Sequence, residues 1–144
     1  MSSRVRRIFL MLGVAGLTAS LMSAEEPCLG RFFGAHLLGS LQDLSLTVDE
    51  LTLLNGREDP KLKRHLEWRL VSAAADARRY VDGEPVLEKP SQFPNLAHGV
   101  EKARDYVVSH HLDLNPPVPS ADKSLLNPSA NLEVVGRWLS RQQQ

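Results

Sequence analysis

Leu37, Leu41, Leu44, Val48 and Leu51 recur at alternating steps of four and three, which places all five on one face of an α-helix. Leu38, Leu46, Leu53 and Leu54 are expected to widen that face. The helix is predicted from His36 to Asn55, where Asn55-Gly56 supplies a stop because glycine takes the left-handed conformation without a Cβ clash. Asp59-Pro60 supplies the next start, a capping carboxylate followed by proline at the first helical position, where no N–H is needed. A second helix from Pro60 to about Val81 carries Leu62, Leu66, Leu70, Ala73, Ala77 and Tyr80 at helical spacing. So short a turn between two amphipathic helices predicts an antiparallel hairpin.

The second helix holds Ala73-Ala74-Ala75 and Ala77, which let another helix approach closely, with Trp68 and Tyr80 as bulk on either side. Asp82-Gly83-Glu84-Pro85 ends it, and residues Glu84 to Asn95, with Pro85, Pro90 and Pro94, are expected to form a stiff extended connection. A third helix, Leu96 to His111, buries Leu96, Val100, Ala103 and Val107. Asn115 to Asn127, with Pro116, Pro117 and Pro119, is a second irregular stretch. Pro128 to Gln142 is predicted as a short helix carrying Leu132, Val135, Trp138 and Leu139, docked back on the hairpin. No strand alternation stands out. The expected fold class is all-α: an N-terminal signal or anchor helix, an antiparallel helical hairpin, and one or two shorter helices with Pro-rich connections. The divisions are 1–24 leader, 25–34 linker, 35–112 helical domain, 113–127 Pro-rich connection, and 128–144 short helix with a polar tail.

The leader fixes compartment. Arg4, Arg6 and Arg7 precede an apolar run from Ile8 to Met22 that ends in Ser23-Ala24, the pattern of an export signal or membrane anchor. The run is shorter than the roughly 20 residues an upright span needs, and Gly13, Gly16, Thr18 and Ser20 dilute it. Both facts favour a cleaved signal. Met22 weakens the cleavage site after Ala24, where a small residue is wanted three positions before the cut, so an uncleaved anchor is the second reading. Arg6-Arg7-Ile8-Phe9-Leu10 also resembles the twin-arginine signal, with Val5 and Met11 where a polar residue and a lysine are usual. The domain is therefore expected in the periplasm, or on the outer side of the inner membrane if the leader stays.

The chain has 144 residues, with 17 basic and 17 acidic side chains. Three arginines and no acids lie in the leader, so the remainder holds 14 basic and 17 acidic residues and is mildly acidic. That argues against nucleic acid as a partner, since duplex binding needs a basic surface. The single Cys28 cannot form an internal disulfide. Glu25-Glu26-Pro27 ahead of it are not the small uncharged residues that lipid attachment wants, which leaves an intermolecular bridge or an idle thiol.

Reactive constellations are missing from the sequence pattern. His36, His65, His98, His110 and His111 show no His-Glu-x-x-His spacing and are expected as solvated surface residues. His110-His111 suits a helix C-terminus, where a protonated imidazole meets the negative end of the dipole. Gly34 to Ser40 has the glycine spacing of a phosphate loop, without its lysine or a preceding strand; the glycines are expected to give a flexible entry into the first helix. Asp43, Asp49, Glu50, Glu58 and Asp59 are expected on a solvated face or turn. Phe32-Phe33 either fills the core or rests on a bilayer. No catalytic, metal-ligating or cofactor-binding residue is assigned, and the functional residues singled out are the targeting arginines Arg4, Arg6 and Arg7.

Leu54-x-Gly56, Leu62, Leu66-Glu67 and Leu70, followed by Ala103-Arg104-Asp105-Tyr106 ahead of a Pro-rich tail, resemble small exported bacterial proteins of unknown function. Those proteins pair a signal or anchor with a helical hairpin, and the likeness covers residues 35–115. It implies no activity and carries over no functional residue. The expectation is a non-enzymatic exported or tethered protein that acts through a protein partner or self-association, with the membrane as a further partner if the leader is retained. An accessory subunit of an exported cofactor enzyme is one alternative; a hydrolase or metal-binding protein assembled from distant residues is another.

Overall fold

A computed structural model of the chain describes residues 28–54, 59–87, 90–116 and 126–144. The leader, with Arg4, Arg6 and Arg7, lies outside the described residues, as do Asn55-Gly56, Glu58 and positions 117–125 of the Pro-rich connection. Four α-helices pack together: α1 (Ser3–Leu54), described from Cys28 onward, α2 (Pro60–Asp82), α3 (Phe93–Ser109) and α4 (Pro128–Gln142). A single 3-10 turn, Pro90–Gln92, leads into α3.

Local chemistry sets the ends. Asp59 caps α2, its Oδ1 accepting the Leu62 N–H at 3.0 Å, and Pro60 occupies the first turn. Asn127 and Pro128 repeat the device on α4, with Asn127 Oδ1 accepting from the Ala130 N–H at 3.0 Å. At the end of α3 the Leu112 N–H donates to the Val107 carbonyl at 3.1 Å and the His111 N–H to that of Val108 at 3.3 Å. This paired closure puts His111 in the left-handed region, φ 55°, where glycine is usual, and buries Leu112 under the turn.

Three expectations are corrected. Residues 28–34, expected as a linker with a flexible glycine entry, are helical and continuous with α1. The connection ahead of α3 is shorter than expected: α3 starts at Phe93, with Pro94 in its first turn, because proline there forfeits only an N–H that has no helical acceptor. Leu46 and Leu53 do not widen the buried face of α1; they are 58% and 81% exposed, since they stand on the side of the helix turned away from Leu44 and Leu51.

Leu37, Leu41, Leu44, Val48 and Leu51 are all buried, as the spacing requires. They meet Leu66, Leu70, Ala73 and Ala77 of α2, and Leu96, Val100, Ala103 and Val107 of α3, in one core that Leu132, Val135, Trp138 and Leu139 of α4 complete. Each fully buried leucine or valine contributes about 1.5–3 kcal/mol relative to exposure. Thr47 is buried among them with its hydroxyl unpartnered.

Helices α1 and α2 run in opposite directions. Tyr80 stacks on His36 with ring centroids 5.2 Å apart, Arg69 bridges Asp43 and Glu50, and Leu62 shares a groove with Leu53 and Leu54. Helix α3 packs beside α1 in the same direction: Lys102 Nζ reaches Asp49 Oδ1 at 2.7 Å, and Gly99 abuts Ser45. Helix α4 packs on α2 and α3, opposite α1. Helices α2 and α3 lie on different sides of α1, and the segment between them is a crossover that passes over α1. The Val86 N–H donates to the Gly30 carbonyl at 2.9 Å, and a Cβ built on Gly34 would lie 1.9 Å from the Val86 oxygen. Glycine is required at position 34 by this close backbone approach.

Candidate functional site

The face of α1 turned away from the core carries the most unusual surface in the described residues. Phe32, Ala35, Gly39, Gln42, Leu46 and Leu53 are all exposed and follow steps of three, four, three, four and seven. That is the spacing of a coiled-coil seam, the pattern that buries a stripe against a second helix. The core-facing stripe of the same helix has its partners within the bundle; along this one Leu53 borders Leu62 and Leu66 of α2, the intervening position is Asp49, held by Lys102, and Phe32 and Leu46 stand exposed. Trp68 and Leu62 of α2 add exposed apolar surface beside it. Near the end of the hairpin, Leu53, Leu54, Leu62 and Leu66 line an apolar groove rimmed by Glu50.

Polar side chains along the hairpin are taken up by the fold. Arg69 ties Asp43 and Glu50 together, and the Asp43 hydrogen bond holds its guanidinium protonated more firmly than usual. Asp49 is held by Lys102 and Asp59 by the α2 cap. The carboxylates expected on a solvated face therefore act as interhelical ties or caps. Tyr106 donates its hydroxyl to Glu67 Oε1 at 3.2 Å; burial first, and then the Glu67 charge, push its phenol far above the ordinary value.

The histidines are dispersed. His36 stands between Phe32 and Tyr80, His65 lies over Trp68, and His110 stacks on Tyr106 with centroids 3.8 Å apart. His110 Nδ1 is 3.0 Å from both the Tyr106 carbonyl and the Ser109 hydroxyl, and the Tyr106 carbonyl also accepts the His110 N–H at 3.0 Å. Among the described residues no three His, Cys, Asp or Glu side chains are grouped to hold a metal ion. Cys28 is exposed. Of the two adjacent phenylalanines, Phe33 packs partly against Tyr80 and Gly83 whereas Phe32 is 55% exposed. Among the described residues no helix is long and apolar enough to cross a membrane.

The inner and outer stripes of α1 both repeat at steps of three and four, and the expected wide face merges Leu46 and Leu53 of the outer stripe with the inner one. The signal was present: Phe32, Leu46 and Leu53 fall out of phase with Leu37, Leu44 and Leu51 and in phase with one another. Comparison of the chain with protein-family models, with curated proteins and with solved structures finds no match in any of the three.

Proposed function

We propose that this is a non-enzymatic helical protein of the bacterial cell envelope, exported or tethered by residues 1–24, that works by binding another protein chain. The observation that carries the reading is the outer seam of α1, Phe32-Ala35-Gly39-Gln42-Leu46-Leu53, which has coiled-coil spacing and stands in solvent. Ala35 and Gly39 near its middle leave room for a second helix backbone to come close, and the larger side chains toward the ends supply the apolar area. The arginines and apolar run of the leader support the compartment.

A photo-crosslinking amino acid placed at position 46 in cells tests the contact, with position 130 as the control, because Ala130 is an exposed residue of α4, which packs on α2 and α3 opposite α1. Discrete adducts from position 46 and none from 130 are expected, whether the captured chain is a second copy or a different protein. A protein that is a monodisperse monomer and gives no adduct from 46 would sink the reading. Intact mass settles the leader: a value near 16.0 kDa means it is retained, and a loss of about 2.5 kDa means cleavage near Ala24.

Arg6-Arg7-Ile8-Phe9-Leu10 favours a second reading, an accessory subunit carried out by the twin-arginine route with a cofactor enzyme. Replacing Arg6-Arg7 by Lys-Lys then stops export, and unaffected export removes this reading while leaving the first intact.

A further inference from the structure

Four arginines from three helices meet at one groove. Arg78 of α2, Arg104 of α3, and Arg137 and Arg141 of α4 line a cleft of about 820 Å³ whose remaining walls include Val100 and Leu132. Two carboxylates share it, Glu101 and Glu133, so the cleft carries a surplus of positive charge in a domain that is mildly acidic outside the leader. The arginines are incompletely neutralised. Arg78 pairs through Nε with Asp82 at 3.0 Å, Arg137 stands 3.7 Å from Glu133, and Arg104 and Arg141 make no ion pair among the described residues. Helix α1 contributes no side chain here, so the groove is separate from the outer seam.

Gly136 supplies an independent observation. It stands in the middle of α4, where glycine is unfavourable, yet no tight contact demands it: a Cβ there would meet only Val100 Cγ1, at an ordinary 3.8 Å. Gly136 lines the cleft.

We propose that this groove binds a phosphoryl group, either free or carried on an apolar body. Planar guanidinium groups match the oxygens of a phosphate two at a time, which a carboxylate-lined or purely apolar cleft does not. Arginines from three helices line the cleft on several sides of a compact anion, and the apolar wall between them accepts the uncharged part of a ligand that has one. Two sources share this chemistry, a phosphodiester lipid headgroup and a free phosphate.

Isothermal titration of the full chain separates them. The probes are dihexanoyl phosphatidylglycerol below its micellar concentration, inorganic phosphate, dihexanoyl phosphatidylcholine as the lipid of no net charge, and triglutamate. Saturable binding of phosphatidylglycerol that phosphate does not displace assigns the groove to a headgroup, and displacement by phosphate at equal strength assigns it to the free ion. Either result supports the phosphoryl site when binding also weakens at least tenfold in R104Q/R141Q and is unchanged in R79Q. G136L provides the second check: leucine favours the helix and fills the floor, so its helical circular dichroism is retained while binding is lost. Absence of saturable binding by both phosphoryl probes, equal binding in R104Q/R141Q or G136L, or tighter binding of triglutamate or phosphatidylcholine overturns the proposal.

Discussion

Gly34→Ala and Gly39→Ala make the same chemical change five residues apart in one helix, and opposite signs are expected. In a helix interior alanine is more favourable than glycine by about 0.8–1 kcal/mol. Gly39 has no atom within 4 Å of the position its Cβ would take, so G39A should realise most of that gain. At Gly34 the added carbon would lie 1.9 Å from the Val86 oxygen and 2.8 Å from the Val86 carbonyl carbon, both backbone atoms that no rotamer change can move. The crossover must retreat by roughly 1.5 Å to restore ordinary van der Waals separation. That retreat breaks the bond from the Val86 N–H to the Gly30 carbonyl, a loss of about 1 kcal/mol, and repacking strain adds about 1–3 kcal/mol. After the helix gain is subtracted, G34A should be destabilised by about 2 kcal/mol, a fall in Tm of roughly 8 °C for a domain of this size. Urea denaturation followed by far-ultraviolet circular dichroism measures both variants against the parent chain. If G34A matches or exceeds the parent in stability, the crossover does not press on α1 and the account of this glycine is wrong.

Further outcomes follow from other contacts. Tyr106→Phe removes the hydroxyl bonded to Glu67, an expected loss of about 1 kcal/mol at neutral pH. Because the folded state keeps the Tyr106 proton beyond the ordinary 10.0, its stabilisation is complete below pH 10 and drains away as pH rises above it. Absorbance at 295 nm should therefore show one tyrosinate appearing only as helical signal is lost; full titration of both tyrosines in the folded protein would contradict this. His111→Gly relieves a left-handed residue and should raise stability by about 1 kcal/mol in the same urea assay, and a decrease would mean the imidazole matters more than the backbone. Asn127→Ala deletes the α4 cap and should cost about 1 kcal/mol, with an unchanged denaturation midpoint counting against it.

Helix ends and inner faces were legible because each depends on residues near in sequence. Asp59-Pro60 and the α4 span Pro128–Gln142 are of this kind, and so is the Leu37-to-Leu51 stripe. What was not legible depends on distant chain segments. Gly34 signals flexibility when read locally, and only the arrival of Val86, bonded to the Gly30 carbonyl, turns it into a fixed crossing point. Pro94 reads as a breaker until Pro90–Gln92 is seen to turn the chain so that it falls in a first helical turn. The arginine groove was invisible for a similar reason: Arg78, Arg104, Arg137 and Arg141 are spread over α2, α3 and α4, and no spacing rule joins residues that only a tertiary crossing collects. Leu46 and Leu53 were misplaced because two interleaved stripes with the same repeat were merged into one wide face.

The position of α4 has a bearing on how the chain comes to be folded. Leu132, Val135 and Leu139 fill the side of the core that α2 and α3 leave open, and the first of them follows the whole of α1, α2 and α3 in sequence. A growing chain that has emerged only as far as Asn115 lacks the helix that covers those apolar faces, and cooperative folding waits for it. Through that interval the unfinished bundle offers a hydrophobic surface to chaperones. The order of helices along the chain thus sets a window of time, as well as a shape in space.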